Sequence, residues 1–358
     1  MAFRVLSIDG GGMRGIYSAA YLGELERGFC QQRGHVSGLD VGAGFQLIVG
    51  TSTGAIIGCA LAKGKRLDEV VQLYQSHGAS IFPKKMPEAI RAAVPQMLTR
   101  PRYLKSGDAA LRKALEDQFG TTTLRDIWES RRIALAVPAV NMSNYRAWVF
   151  KTPHDPKSNH RDDNRTLAEI CLASSAAPLF RSLAALPHSD GTCDVFADGG
   201  LWANNPVIVA LVEALRMISG HDEEIEIYSL GSCGKPEGEV IQREAVHRGL
   251  GEWKFGGEAA KVSIAAQEYA FDMVATLLVP HLCKPVKLVR FPSEKIPGAL
   301  LQYLDLDETR PEGLEAMVRQ ARQDAHATNS AIQRGTIEGK LIESLFNDMP
   351  PRVAEQGV

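Results

Sequence analysis

The stretch Phe45-Gln-Leu-Ile-Val-Gly-Thr-Ser-Thr-Gly-Ala-Ile-Ile-Gly58 decides the fold. Its first part, Leu47 to Val49, is an apolar run long enough for a buried strand, and an apolar run of helical length begins directly after Gly54. The pattern is therefore a strand, a sharp turn and a helix, with Ser52 at the apex. In such a Gly-x-Ser-x-Gly elbow the flanking glycines, Gly50 and Gly54, let the chain pass closely beside the serine, and the serine hydroxyl is lifted out of the sheet.

Two other interpretations compete for this stretch. A serine at the start of a helix more often serves only as a cap, so the elbow by itself is a weak sign of chemistry. Val41 to Ala62 also contains no charged residue, as a membrane span would. Its five glycines, Gln46 and the Thr-Ser-Thr triplet make it a poor spanning segment, and a buried strand and helix are preferred.

Length, charge and cysteine usage narrow the class of protein. The chain has 358 residues and a formal net charge of −2, which argues against a DNA or RNA polymer as the main partner. Its six cysteines include no Cys-x-x-Cys pair, a pattern that favours reduced thiols in the cytoplasm over disulfides or a zinc site. The apolar run at Phe3 to Ile8 is too short for a signal peptide. We therefore expect a cytoplasmic protein that meets any membrane peripherally, from its surface.

A glycine-rich loop follows the first predicted strand, Phe3 to Ile8, and leads into a helix. It reads Asp9-Gly10-Gly11-Gly12-Met13-Arg14-Gly15. Successive glycines expose backbone N–H groups that can hold an anion, and Arg14 adds a fixed positive charge. The spacing Gly10-x-Gly12-x-x-Gly15 also matches the dinucleotide fingerprint, but no acidic residue stands at the end of a second strand about 20 positions on, as that fingerprint requires. A glycine turn that holds no ligand is the remaining alternative.

Strands alternate with helices along the rest of the chain, which predicts one layered α/β domain over residues 1–340. Its core motifs occupy residues 3–235, a mostly helical part follows over 236–340, and residues 341–358 are expected to form a peripheral tail. The proline-containing segment from Ile81 to Lys105 is expected to be irregular or broken-helical. It is either a lid or membrane-facing segment or a solvated connection. The charged loop from Lys151 to Arg165 is more simply a solvated loop than a site for an acidic ligand.

Three glycine-rich loops each follow an apolar strand: Gly10 to Gly15, Gly50 to Gly54, and Asp198-Gly199-Gly200. The ends of such strands converge on one crevice in open α/β sheets. Acyl hydrolysis needs a nucleophile, a base and an oxyanion cradle, which Ser52, Asp198 and the N–H groups around Gly11 and Gly12 would supply. A carboxylate can act alone as the base if burial raises its pKa. The alternative is a Ser-Asp-His triad of the α/β-hydrolase type, which would draw its histidine from His221, His247 or His281.

Taken together, these motifs resemble the patatin-like phospholipases, relatives of the cytosolic phospholipase A2 catalytic domain. The resemblance rests on Asp9 to Gly15, Gly50 to Gly54 and Asp198 to Gly200. Three further motifs support it, namely Ala173-Ser-Ser-Ala-Ala-Pro178, Asn204-Asn-Pro206 and Ser229-Leu-Gly231. It implies a three-layer α/β sandwich around a central, mostly parallel sheet.

The resemblance also implies roles for these residues. Ser52 is the nucleophile and Asp198 its partner in a Ser–Asp dyad, with Gly199 and Gly200 in support. The loop residues Gly10, Gly11, Gly12, Arg14 and Gly15 form the oxyanion hole. Neither a metal nor an organic cofactor is expected. The implied reaction is phospholipase A-type hydrolysis of fatty acyl esters in membrane phospholipids.

Regulation and assembly are less constrained by the sequence. Some bacterial proteins of this family and size are membrane-degrading effectors of anti-phage defence, activated by cyclic oligonucleotides. The loop from Lys151 to Arg165 or the part after Gly234 could host such an activator, although no diagnostic motif marks it. A ligand-sensing module without catalysis is the alternative of a different class, and self-association as a homo-oligomer stays open.

Overall fold

The computed structural model describes residues 2–34, 38–86, 90–155, 157–188, 190–218, 223–233, 241–249, 251, 253, 257–292 and 295–353. Side chains are described throughout these ranges except over 90–98.

A single eight-stranded sheet crosses the described part of the chain. Its strands are β1 (Phe3–Ile8), β2 (Leu47–Gly50), β3 (Ala134–Asn141), β4 (Arg146–Lys151), β5 (Ala184–Pro187), β6 (Cys193–Asp198), β7 (Ile225–Leu230) and β8 (Val286–Phe291). The order is β5-β6-β3-β2-β1-β7-β8, with β4 also paired to β3. The five adjacent strands β3, β2, β1, β7 and β8 are parallel. Strands β4 and β6 run antiparallel to β3, and β5 runs antiparallel to β6.

Helices cover both faces of this sheet and bury alternate residues of each strand. They are α1 (Gly15–Gln32), α2 (Thr53–Ala62), α3 (Leu67–Ile81), α4 (Ile90–Phe119), α5 (Leu124–Arg131), α6 (Leu167–Ser174), α7 (Gly200–Ala203), α8 (Val207–Met217), α9 (Gly257–Leu278), α10 (Pro311–Gln333) and α11 (Ile337–Asp348). On β2, Ile48 packs into the core under α1 and α2, while Leu47 and Val49 pack into the core under α8. The expected three-layer α/β sandwich is therefore present, and it has a parallel centre with antiparallel strands at one side.

The sheet register explains how Asp198 comes to stand beside Ser52. Val49 of β2 pairs with Ala136 of β3, so three residues further along both strands Ser52 is level with Ala139. Ala139 in turn pairs with Asp198 of the antiparallel strand β6. The expectation that the strand ends converge holds for β1 and β2, whose carboxyl ends point the same way. Asp198 reaches the same place from the opposite direction, because β6 ends where it meets the extension of β3.

The segment from Ile81 to Lys105 is more regular than its prolines suggest. Residues 87–89 lie outside the described residues, but from Ile90 onward the chain is one helix, α4, that runs through Pro95 and Pro101 to Phe119. The prediction of an irregular or broken-helical segment is therefore wrong over 90–105. A proline inside a helix removes a hydrogen bond and destabilises the helix. Tertiary packing outweighs this destabilisation in α4, because its second half buries Leu111, Leu115 and Phe119 completely or nearly so.

The carboxyl-terminal segment is not peripheral up to Met349. Leu345, Phe346 and Met349 are fully buried, and the Phe346 ring stacks on Phe29 of α1 at 4.9 Å between centroids. The Arg33 guanidinium donates to the carbonyl oxygens of Phe346 and Met349 at 2.7 and 2.8 Å. The expectation of a peripheral tail over 341–358 is wrong for this part, because a few apolar residues at helical spacing suffice to bury one face of a short helix. Residues 354–358 lie outside the described residues.

Within the described ranges, one helical stretch is long and apolar enough to cross a membrane, judged by length and composition. This stretch is Gly257–His281, which contains α9. Its most apolar window of 18 residues has a mean hydropathy of 1.3, and only 6% of that window is buried.

Candidate active site

Ser52 occupies a strained turn between β2 and α2, and its hydroxyl is directed at a carboxylate. Its φ of 57° and ψ of −117° lie in a region that non-glycine residues rarely occupy. Although Ser52 stands at the N-cap position, its side chain makes no capping hydrogen bond. The Oγ instead donates to Oδ2 of Asp198 at 2.9 Å, and both side chains are 6% exposed. Ser52 is therefore not a simple helix cap.

The turn can adopt this geometry because glycines flank it and a second serine holds it. A Cβ on Gly50 would lie 2.2 Å from the Gly54 carbonyl oxygen, and a Cβ on Gly54 would lie 2.3 Å from the Ile8 carbonyl oxygen. The Ser52 N–H donates to Ser174 Oγ at 2.8 Å, and Ser174 Oγ donates to the Pro138 carbonyl at 2.7 Å. The strain at Ser52 is thus maintained by close backbone contacts and by a buried hydrogen-bond relay.

Asp198 is buried but remains able to accept a proton near neutral pH. Its Oδ1 accepts from the Gly200 N–H at 2.6 Å, and its backbone is fixed by a bond from its N–H to the Ala176 carbonyl at 3.0 Å. Burial raises the pKa of Asp198 to about 6, against the opposing effects of the Gly200 and Ser52 hydrogen bonds and the Arg181 charge. A carboxylate whose pKa lies near the working pH is suited to take a proton from a hydroxyl.

The glycine loop beside Ser52 presents two backbone N–H groups that have no partner in the described part of the chain. Those of Gly10, Met13 and Arg14 donate to the carbonyls of Asn204, Leu306 and Gly11, and that of Gly15 donates back to Gly12. The N–H groups of Gly11 and Gly12 donate to no group among the described residues, and both glycines line the cleft over Ser52. Unpaired N–H groups of this kind can hold an anion.

Contacts from distant parts of the chain fix the position of the glycine loop. Asp9, directly before it, is almost fully buried and accepts two hydrogen bonds from the Arg290 guanidinium of β8, at 3.0 and 2.5 Å. Ser232 Oγ donates to the Gly10 carbonyl at 2.6 Å. Gly12 has a φ of 57°, and a Cβ there would lie 2.3 Å from the Leu306 carbonyl oxygen. Only glycine therefore fits at position 12 without backbone movement.

The histidines of the alternative triad do not approach this site. His247 and His281 are exposed and do not line the cleft over Ser52, and His221 lies outside the described residues. His154 is buried, but its ring contacts Thr152 and Glu213, away from Ser52. Throughout the described ranges, no histidine contacts Ser52 or Asp198.

An apolar cleft opens over the Ser52–Asp198 pair. Most of its lining is hydrocarbon from α2, α3, α4 and the segment after α6, including Ile56, Leu73, Ile81, Phe82, Leu111 and Phe180. Arg14 and Arg181 are buried cations of this lining. Burial lowers the pKa of Arg181 to about 10, so Arg181 is still charged at neutral pH. The arrangement suits a long apolar group whose polar end reaches Ser52.

Four side chains of this site have roles that the sequence alone did not reveal. Ser174 lies in the Ala173-Ser-Ser motif, which was noted without a function. Asn204 lies in the Asn204-Asn-Pro206 motif, which also carried no assigned role, whereas Arg290 and Arg181 come from segments with no local signature of a site. Their contribution depends on contacts with residues far away in sequence, such as the 281 positions between Asp9 and Arg290. An alignment of related sequences is the signal that would expose them.

A serine hydroxyl bonded to a buried carboxylate, at the base of an apolar cleft, defines the chain as a serine hydrolase of the α/β class. A family model described as patatin-like phospholipase matches residues 6–211, more than half of the chain. The chain therefore belongs to the patatin-like phospholipase family, and it is a hydrolase of lipid esters. The resemblance, the fold class and the enzyme class predicted from the motifs are confirmed.

Similar proteins span nearly the whole chain. A cGAMP-activated phospholipase of Vibrio cholerae is 32% identical over 331 residues, which cover 89% of this chain and 89% of that protein. A cGAMP-activated phospholipase of Escherichia coli is 31% identical over 355 residues, 96% of this chain and 89% of that protein. Among solved structures, human GIVD cytosolic phospholipase A2 is matched at 11% identity with a TM-score of 0.44, over 97% of this chain and 60% of that chain.

Proposed function

We propose that the chain is a phospholipase A-type acyl hydrolase in which Ser52 and Asp198 form the catalytic dyad. The observation that carries this proposal is the 2.9 Å hydrogen bond from Ser52 Oγ to Asp198 Oδ2 at the base of an apolar cleft. A nucleophile and its base must stand within hydrogen-bond reach, about 2.6–3.2 Å, and this pair does.

In the acylation step, Asp198 accepts the Ser52 proton while Oγ attacks the carbonyl carbon of a fatty acyl ester. The carbonyl oxygen becomes an oxyanion, and the unpaired N–H groups of Gly11 and Gly12 stabilise it. Gly10, Arg14 and Gly15 support this oxyanion hole indirectly, since their N–H groups are already bonded within the protein. The Arg14 side chain donates to the Gly11 carbonyl at 3.2 Å and so holds the loop.

The intermediate then collapses with loss of the lysophospholipid alkoxide, which takes the proton from Asp198. In the deacylation step, Asp198 removes a proton from water as that water attacks the acyl-enzyme. A second oxyanion forms and collapses, the fatty acid leaves, and the proton returns to Ser52. Each step uses only the dyad, the loop and water, so no metal or cofactor enters the mechanism.

We also infer that a cyclic dinucleotide activates the enzyme, since the two relatives are named cGAMP-activated phospholipases. It would act peripherally on the cytoplasmic face of the membrane, as an effector of anti-phage defence. The loop from Lys151 to Arg165 is a weak candidate for the activator site, because most of its cationic side chains are already paired with acids. Lys151 bonds to Glu213, Arg161 to Asp162 and Arg165 to Glu169. The other candidate, the part of the chain after Gly234, lies outside the described residues over 235–240.

Purified protein incubated with phospholipid vesicles tests this proposal. We expect fatty-acid release to rise at least about tenfold when cGAMP is added, a coupling of about 1.4 kcal/mol or more between activator and active state. Other cyclic dinucleotides serve as the control for activator identity. Hydrolysis that is equally fast without any nucleotide would leave the phospholipase assignment intact and remove the regulatory part. No fatty-acid release under any condition would contradict both.

The pH dependence of the activated enzyme follows from the pKa of Asp198. Because only the carboxylate can accept the Ser52 proton, kcat/KM is expected to fall as the pH drops below about 6 and to level off above it. A pH profile of kcat/KM for a short-chain ester measures this fall, which is the acid limb of the profile.

The same profile in Arg181→Met tests whether the ionisation belongs to Asp198. The positive charge of Arg181 lowers the pKa of Asp198, so its removal should move the acid limb to higher pH. Arg27→Met, at an exposed arginine paired with Glu24, is the control and should leave the limb in place. An acid limb that does not move in Arg181→Met would assign it to another group.

A further inference from the structure

Helix α9, Gly257–Leu278, has its polar and apolar sides reversed relative to an ordinary surface helix. Its charged residues after Lys261 are Glu268 and Asp272, and both are turned toward the protein and only partly exposed. The positions exposed to solvent from Val262 to Pro280 carry no charge at all. A surface helix normally buries its apolar stripe and exposes its charges. Packing against the core of this chain therefore does not explain why the exposed side of α9 is apolar.

The inward side of α9 holds the frame of the candidate active site. Gln267 Oε1 accepts a hydrogen bond from the Asn204 N–H at 2.7 Å, and the Glu268 carboxylate accepts one from the Asn204 side-chain amide. The Glu268 carbonyl accepts from Asn205 Nδ2 at 3.3 Å. Asn204 in turn accepts the Gly10 N–H through its carbonyl. These bonds attach α9 to the protein through polar groups on its inward side.

The outward side of α9 forms a continuous apolar face. Val262, Tyr269, Met273 and Leu277 recur at intervals of four or seven residues and lie along one side of the helix. Tyr269 is 74% exposed and Leu277 is 63% exposed. Val274 and Leu278 extend this face on its flank, and each is more than 40% exposed. Exposed apolar patches of this kind mark sites of contact with another apolar surface.

The helix that carries this apolar face also lines the cleft over Ser52. Ala260, Lys261 and Ile264, in the first turns of α9, line the cleft. Leu201 of the neighbouring helix α7 also lines it and is 44% exposed. A surface that covered the outward side of α9 would therefore lie beside helical turns that line the cleft.

We propose that the outward side of α9 is the surface that docks the enzyme on a phospholipid bilayer, with the helix lying in the plane of the interface. This inference rests on the proposed function, because the substrate of that function is a lipid of the same bilayer. The first turns of α9 and the exposed Leu201 line the cleft, so a bilayer on this face would bring lipid beside the cleft, which favours the bilayer over a second copy of the chain. A helix of this kind sinks its apolar side about 5–10 Å into the headgroup region.

Flotation with vesicles of phosphatidylethanolamine and phosphatidylglycerol tests the proposal. In Tyr269→Ser/Leu277→Ser the vesicle-bound fraction is expected to fall at least about tenfold, since two large apolar contacts are lost. The control is Ile337→Ser/Val353→Ser, which removes two apolar side chains that are 77% and 84% exposed and do not line the cleft. Binding is expected to persist between about 0.1 M and about 1 M salt, where screening removes exposed charge attraction.

Three further measurements separate the possible outcomes. Ser52→Ala should bind vesicles like the wild type and release no fatty acid, so a failure of catalysis is distinct from a failure of docking. Tyr269→Ser/Leu277→Ser should retain hydrolysis of a soluble short-chain ester. Hydrogen exchange of the wild-type protein should show protection of residues 262–278 when vesicles are added, which does not depend on any variant.

Unchanged vesicle binding by the α9 variant, or no protection of residues 262–278, would overturn the proposal. A loss of self-association by light scattering, with vesicle binding unaltered, would assign the face to a second copy of the chain instead.

Discussion

Replacing Ser52 by alanine is expected to lower fatty-acid release from phospholipid vesicles by about 10⁴- to 10⁶-fold, the range seen when a serine hydrolase loses its nucleophile. Without Oγ no acyl-enzyme can form, and only direct attack by water in the cleft remains. The fold should be unaffected, because the α2 N-terminus does not use the Ser52 side chain as a cap. Release of fatty acid by the purified variant, with activator present, is the measurement.

Ser7→Ala is the matched control for this variant. Ser7 is a fully buried serine of β1, and its hydroxyl has no hydrogen-bond partner among the described residues. Its loss should change activity less than twofold, since no contact to the site is removed. Comparable activity in Ser52→Ala and Ser7→Ala would reject Ser52 as the nucleophile.

Replacing Asp198 by asparagine is expected to lower the same activity by about 10³- to 10⁴-fold. Asparagine keeps the shape of the side chain and can still accept a hydrogen bond, but it cannot accept the Ser52 proton. The effect should be on kcat more than on KM, because Asp198 contacts the nucleophile and not the acyl chain.

The stability of Asp198→Asn gives an independent check on the environment of Asp198. Burial raises the folded-state pKa of Asp198 to about 6, above its ordinary value of 3.8. The folded protein therefore binds more protons than the unfolded chain between these values, and ionising Asp198 costs stability as the pH rises through about 6. A neutral asparagine avoids this cost, so the variant should unfold at the same temperature as the wild type or a higher one at pH 7.5.

His281→Ala separates the dyad from the alternative triad. His281 is exposed and does not line the cleft, so its replacement should leave fatty-acid release unchanged. Retained activity in Asp198→Asn together with lost activity in His281→Ala would support a histidine base instead. The matching test on His247 has the same expected result.

Local sequence patterns were sufficient to predict the elements that carry the site. The apolar runs at Phe3–Ile8 and Leu47–Gly50, each ending in glycines, predict buried strands followed by turns, and both strands are present with nearly those bounds. The apolar runs at Ile225–Leu230 and Val286–Phe291 form strands as well. These signals are local because strand formation and turn geometry depend on residues that adjoin in sequence.

Features that depend on tertiary contact could not be predicted in this way. The continuity of α4 through Pro101 and the burial of Phe346 depend on surfaces supplied by other helices. The pairing of Arg290 with Asp9 requires that β8 and β1 lie on opposite sides of β7, which no local pattern specifies. The reversed polarity of α9 was also invisible, because composition shows that a helix is apolar but not which side faces the protein.

The candidate site also has features that local motifs predict and features that depend on tertiary contacts. The motifs predicted that Ser52, Asp198 and the glycine loop meet, and the structure brings them together. The motifs did not distinguish Gly11 and Gly12, whose N–H groups are unpaired among the described residues, from Gly10 and Gly15, whose N–H groups are already used. That difference follows from contacts with Asn204 and from the turn itself, and only the assembled backbone reveals it.

Peptide mapping of a fluorophosphonate adduct by mass spectrometry tests the dyad most directly. The probe reacts covalently only with a serine whose hydroxyl is activated by a base, so it reports nucleophile and base in one experiment. We expect a single adduct on Ser52 in the wild-type protein with activator present, and at most a trace of it in Asp198→Asn. An adduct on a different serine, or equal labelling of Ser52 in Asp198→Asn, would contradict the account.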